Sequence, residues 1–170
     1  MPEGNRIFLR KVEPRDKEKL LVWENDPAHW LVSGTRAPYS SETIDIFIRS
    51  TQDLFLTGQL RLLACLTSTN EAVGAIDLFA FEPVHLNAGV GILIDKNFQK
   101  KGLATESLNQ LDVYCRENFS LKNLWCNVLS ENVASLKLFS TCGYREVGVK
   151  KAWFNNGENW LDEYFYQKEL

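Results

Sequence analysis

The stretch from Ala88 to Thr105 holds the residue types that bind an anion. It begins as an apolar run and breaks at Asp95-Lys96-Asn97. It then passes through Gln99-Lys100-Lys101-Gly102-Leu103-Ala104 into a long amphipathic pattern. A strand, a short basic loop and a helix start, in that order, form a phosphate cradle. The N–H groups of a first helical turn have no carbonyl partners, and the helix dipole adds partial positive charge there. Gly102 allows close backbone approach to a ligand. Lys100 and Lys101 are read either as phosphate contacts or as a solvated pair.

A second candidate is Asp77, a carboxylate in the largely apolar run Ala75-Ile76-Asp77-Leu78-Phe79. Buried without a partner it would cost several kcal/mol. It is therefore read as a substrate binder or base, against a satisfied or exposed structural aspartate. Glu24, Asp26, His29 and Trp30 place carboxylates beside an aromatic ring, which suits an amine through charge pairing and cation–π contact. The plain alternative is a solvated helix end with Trp30 covering the core. His85 is a candidate substrate contact in what otherwise reads as a turn. Metal binding is not expected. Cys65, Cys115, Cys126 and Cys142 form no C-x-x-C pair, and the two histidines are far apart.

The elements that must position these residues follow from the pattern. Ile7 to Arg10 reads as a strand, and Glu13-Pro14-Arg15-Asp16 as a helix entry that stops near Asn25-Asp26-Pro27. The segment 28–34 reads as irregular. Ser40-Ser41 caps a second helix carrying Ile44, Phe47 and Ile48. Leu60 to Leu66, Ala72 to Phe81 and Ala88 to Ile94 read as an antiparallel meander. The helix after Gly102 turns Ala104, Leu108, Leu111 and Cys115 to one side. Leu124 to Val128 is then a strand parallel to the one ending at Ile94, because strand–helix–strand units cross over right-handed. Asn132 to Cys142 is a further helix with Leu136 and Phe139 inward and Gly143 as its C′ residue. Tyr144 to Ala152 and Trp160 to Tyr166 pair as a hairpin. The order is βααβββαβαββ, an α/β sandwich around a mixed sheet.

In that frame the chain resembles the GNAT superfamily of acetyl-CoA-dependent N-acetyltransferases. Gln99-Lys100-Lys101-Gly102-Leu103-Ala104 matches the family's Gln/Arg-x-x-Gly-x-Gly/Ala loop. Asn132-Val133-Ala134-Ser135-Leu136-Lys137-Leu138-Phe139, then Gly143-Tyr144, is similar to its Asn-x-x-Ser/Ala-x-x-Leu-Tyr/Phe…Gly-Phe/Tyr pattern. The chain looks closest to the branch holding spermidine/diamine and ribosomal-protein N-acetyltransferases. The resemblance implies a three-layer α/β fold with a mostly antiparallel mixed sheet, whose central parallel pair splays to hold acetyl-CoA. It implies that backbone groups of Ile92, Leu93 and Ile94 bind the pantetheine arm. It implies that the N–H groups of Gln99, Lys100, Lys101, Gly102, Leu103, Ala104 and Thr105 hold the pyrophosphate. Asn132 would contact the pantetheine, with Ser135 and Phe139 lining the cofactor near the thioester. Asn127 falls where relatives carry a polar or acidic active-site residue.

Two positions depart from the family's pattern. Phe139 stands where a tyrosine often protonates the leaving thiolate, so Tyr144, Ser135, water or an unassisted departure takes that role. Gly89 stands where polyamine acetyltransferases tend to carry a glutamate.

The 170 residues fit one domain, 1–170, which buries about 70% of its unfolded surface without needing disulfides. A net charge of −3 argues against a nucleic-acid partner and suits an anionic cofactor beside a cationic substrate. No run approaches the ~20 apolar residues of a membrane span, and the start of the chain has no apolar leader, so a cytoplasmic address is expected. The acceptor expected is a small-molecule amine, polyamine or diamine, or a peptide N-terminus. A non-catalytic acyl-CoA sensor is the alternative of a different class, and a homodimer is compatible with the aromatic hairpin. P-loop and dinucleotide glycine patterns are absent, which discounts other nucleotide chemistry.

Overall fold

The computed structural model describes residues 5–170. Strand β1 (Ile7–Lys11) leads into a 3-10 turn at Pro14–Asp16, closed by reciprocal hydrogen bonds between Glu13 and Asp16, and then into α1 (Lys17–Glu24). The segment expected to be irregular is a helix, α2 (Pro27–Ser33). The dipeptide Asp26-Pro27 ends one helix and starts the next. Asp26 accepts the Ala28 N–H at 3.0 Å and Pro27 takes the first helical position. Helix α3 (Ser41–Arg49) begins at the expected Ser40 cap. A single turn, α4 (Leu54–Thr57), capped by Asp53, is too short for periodicity to reveal.

Strands β2 (Leu60–Leu66), β3 (Ala72–Glu82) and β4 (Asn87–Ile94) form the meander. Gly74 keeps β3 close to β4: a Cβ there would stand 2.4 Å from the Leu93 carbonyl oxygen. Then come α5 (Leu103–Phe119), β5 (Asn123–Leu129), α6 (Val133–Thr141), β6 (Arg145–Asn155) and β7 (Trp160–Glu169). One seven-stranded sheet results, in the order β1-β2-β3-β4-β5-β7-β6. All neighbours are antiparallel except β4 and β5.

Alternation along the strands divides the core in two. On one face Leu62, Ile76, Val90, Leu124 and Cys126 meet Leu108, Leu111 and Cys115 of α5 and Phe139 of α6. On the other, Leu63, Cys65 and Ala75 meet Leu20 and Trp23 of α1 and Ile44 of α3. Each fully buried Leu is worth about 1.5–3 kcal/mol. Both faces of the sheet are thus covered over β2 and β3, whereas β6 stays largely exposed.

Candidate active site

Strands β4 and β5 pair at only three positions, Asn87↔Asn123, Ala88↔Leu124 and Gly89↔Trp125. Beyond Gly89 they part, while β4 stays paired to β3 as far as Ile94 and β5 to β7 as far as Leu129. The β5-facing edge of β4 from Val90 onward therefore has no strand partner among the described residues. The cleft so opened is lined by Val90, Gly91 and Ile92 on one side and Asn127, Val128 and Leu129 on the other. Leu31 and Val32 of α2 close it from one layer, Ser135 and Phe139 of α6 from the other.

Past the end of β4, Gly102 caps α5 with φ +78°, a conformation glycine adopts without strain, and Lys100 is also left-handed at φ +60°. The N–H groups of Leu103, Ala104 and Thr105, in the first turn of α5, have no carbonyl partner within the helix. They form a donor-rich concavity at a helix N-terminus. Leu103, 4% exposed, roots this helix start in the core with Ile7, Ala64 and Val73. The Gln99 amide donates to the Ile94 carbonyl at 3.0 Å and ties the loop to the end of β4. Lys101 turns back, donating to the Asn97 carbonyl at 2.9 Å and lying 5.1 Å from the Phe98 ring. Its charge therefore braces the loop, and Lys100 stays exposed. Arg6 adds a brace that lies outside both sequence motifs: it donates to the Lys101 carbonyl at 3.1 Å and pairs with Glu106.

On α6 the Asn132 side chain accepts the Ser135 N–H at 3.2 Å, so it caps the helix and lines the cleft at once. Phe139 is buried and meets Tyr144 edge-on at 5.0 Å.

The opposite layer carries the carboxylates. Asp77 is not solitary: Arg61 donates to both its oxygens, at 2.6 and 2.8 Å, and also to Glu24. Burial opposes the charge on Arg61, but the two carboxylates prevail and hold its ionisation above the usual guanidinium range. Sequence reading did not single out Arg61, whose partners lie on α1 and β3. Asp77 faces Gly91 across the ladder, so it stands next to the cleft, with Asn127 exposed on the far wall. Trp30 donates to the Glu24 carbonyl at 3.0 Å, and His29 lies 4.0 Å from Asp26. His85 sits in the turn before β4, at the end of the strand away from the cleft, and does not join the other site residues. Among the described residues no cluster of metal-ligating side chains occurs.

A profile of the acetyltransferase (GNAT) domain matches residues 6–145. The chain belongs to the GNAT acetyltransferase family. It is 25% identical over 164 residues to the uncharacterized N-acetyltransferase p20 of Bacillus licheniformis, covering 95% of this chain and 91% of that one. Its fold matches that of a spermidine N-acetyltransferase from Vibrio cholerae, solved with CoA and spermine, at a TM-score of 0.86 and 18% identity over 98% and 96% of the two chains. It also matches the ribosomal L7/L12 alpha-N-protein acetyltransferase RimL at 0.79 and 22%, over 99% and 93%.

As a GNAT enzyme the chain uses acetyl-CoA, and its residues fit that group. The donor-rich loop suits a pyrophosphate, and the unpaired edge of β4 suits an amide-bearing arm. Two family positions take a different solution here. Ring carbons of Phe79 lie 2.5, 2.6 and 2.9 Å from where a Gly89 Cβ would stand. The Phe79 ring meets Trp125 edge-on at 5.3 Å, and Trp125 stacks on Phe165 at 5.7 Å. Three aromatic rings thus fill the space beside Gly89. Tyr144 is buried, and its hydroxyl has no partner among the described residues. Burial, with Asp112 nearby, pushes its ionisation far above the phenol range, and Tyr144 packs the core against Phe139 and does not line the cleft. Ser135 is the hydroxyl that lines the cleft.

No helix among the described residues is long and apolar enough to cross a membrane.

Proposed function

We propose that this enzyme acetylates a primary amine on a small cationic molecule of the diamine or polyamine class by direct transfer. The observation carrying this reading is the Glu24–Arg61–Asp77 cluster: two carboxylates against one guanidinium, net negative, with Asp77 opposite Gly91 beside the parted strands.

Acetyl-CoA supplies the activated acetyl group. In this proposal the N–H groups of Gln99 to Thr105 hold its pyrophosphate. Ile92, Leu93 and Ile94 present backbone groups to the arm, and Asn132, Ser135 and Phe139 line it. In this proposal an N–H on the free edge of β4 beside Leu93, that of Ile92 or Ile94, steadies negative charge on the acyl oxygen. The carboxylate cluster, Asp26, His29 and Trp30 draw the ammonium toward the cleft. Asp77 already accepts two guanidinium hydrogen bonds, which suits a charge anchor better than a base. Asn127 orients the amine, water removes its proton, and the Ser135 hydroxyl is the protic group for the departing sulfur. Much of the rate comes from proximity in the cleft.

A protein N-terminus is a second acceptor, favoured by the exposed apolar side chains of Leu31 and Val32 where α2 borders the cleft.

Two measurements test the reading. Coenzyme A at a hundred times its Kd should stabilise the protein by about 2.7 kcal/mol in a thermal scan. Thiol release should then appear with diaminobutane or spermidine. Turnover with peptides alone moves the assignment to the second reading, and binding without turnover identifies a sensor.

A further inference from the structure

Beside the cleft lies a second cavity, of about 290 Å³, bounded by Phe47, Gln52, Gln59, Arg61, Asp77 and Phe79. This volume is near the lower end for pockets that take a small organic group, and well beyond what an ion needs. The cavity adjoins the cleft through the Asp77↔Gly91 pair. A Cβ at Gly91 would meet only Asp77, at 4.0 Å, so no side chain crowds the point where the two spaces adjoin. The walls combine two rings with a charge cluster held in place. Arg61 lies 5.2 Å over the Phe47 ring and is hydrogen-bonded to β3 and α1. The Gln52 amide is committed to the Phe47 carbonyl and the Ser50 hydroxyl. Lys11, on the outer side, is taken by the Gln52 carbonyl at 2.9 Å and does not line the cavity.

Charge counting then bears on the acceptor. Glu24 and Asp77 contribute two negative charges and Arg61 one positive, leaving a single net negative charge. The attacking amine must be neutral, so an acceptor's charge at this point resides on its other amines. We infer that this cavity is a distal subsite for the tail of the acceptor, and that Arg61 sets its specificity by matching one remaining ammonium and disfavouring two. The inference rests on the small-amine reading above. It adds a subsite, and names the residue that counts the acceptor's charges.

The test compares kcat/KM for butylamine, 1,4-diaminobutane and spermidine in the intact enzyme. The wild type is expected to prefer diaminobutane to butylamine by about tenfold, the scale of one half-buried charge pair. It should also prefer diaminobutane to spermidine. Arg61→Gln leaves two net negative charges and should move the spermidine-to-diaminobutane ratio about tenfold toward spermidine. Arg61→Lys keeps the net charge and should keep the wild-type ratio even where kcat falls. Thermal stabilisation by coenzyme A reports folding of each variant. An unchanged ratio in Arg61→Gln, or equal use of butylamine and diaminobutane by the wild type, overturns the subsite. Absence of turnover with all three amines, with peptides acetylated instead, overturns the small-amine reading and the subsite with it.

Discussion

Phe79 crosses the position a side chain at Gly89 would need, and its ring continues through Trp125 to Phe165. Gly89→Glu must expel the ring or bend the strand. It is expected to cost about 1–3 kcal/mol, read as a lowered midpoint in urea with unchanged slope. Gly102 is constrained differently: its φ of +78° strains any L side chain. Gly102→Glu should lose about 1 kcal/mol of stability. It should also weaken coenzyme A at least about tenfold by calorimetric titration, because it sets a carboxylate in an anion site. Unchanged affinity would place the pyrophosphate elsewhere. Gly102, Asn132 and Gly143 were legible in the sequence because caps and left-handed turns are decided within a few residues. Arg6 and Arg61 were not: Arg6 pairs with Glu106, 100 positions away, and Arg61 with Glu24, 37 away.

At the scale of elements, one ion pair joins three of them. Lys168 of β7 reaches Asp112 of α5 and donates to the Cys142 carbonyl at the end of α6 at 2.6 Å. Asp112 is buried, and one of its oxygens has no other partner among the described residues. Lys168→Met leaves that carboxylate uncompensated and is expected to cost about 3–5 kcal/mol in chemical denaturation. The double variant with Asp112→Leu should recover most of the loss. A weaker device sets α6: Asn132→Ala removes its cap and should cost about 1 kcal/mol, together with a raised KM for acetyl-CoA. Helix α2 shows the limit of reading elements from sequence. Asp26-Pro27 is both a stop and a start signal, and the Asp26 cap on Ala28 with the hydrogen bond from Trp30 to Glu24 holds the new helix beside α1.

For the whole molecule, the titrating groups predict a stability dome. Burial works against the charge on Asp16 and Asp95. Hydrogen bonds from Arg10 and the Glu13 N–H, and from the Trp23 indole and the Asn97 N–H, outweigh it and lower both carboxylates. The unfolded chain then binds these protons at higher pH than the folded one. Their stabilisation is present above the ordinary value of 3.8 and is lost as pH falls below it. Cys115 and Cys126 act on the other limb, with burial pushing both thiols up to about 12 from 9.0. The unfolded chain ionises first, so stability declines as pH rises from 9.0 toward 12. Tm measured across this range should be flat near neutrality and fall on both sides. An alkaline limb that persists after both cysteines are replaced by alanine would assign it to other groups.

The sequence alone determined the cradle, the helix caps, the meander and the parallel crossover. These depend on periodicity, glycine conformation and connection handedness, which are local or nearly so. It also carried the family, because both GNAT motifs are short and contiguous. The tertiary structure decided where β4 and β5 part. It placed β7 between β5 and β6, seated Phe79 over Gly89, and bound Asp77 to Arg61 and Glu24. These last features join groups distant in sequence, whose meeting depends on strand order and on the packing of two layers. The Ala88–Thr105 stretch thus carried the family's loop motif, while the Glu24–Arg61–Asp77 cluster formed only when α1, β2 and β3 brought their charges together.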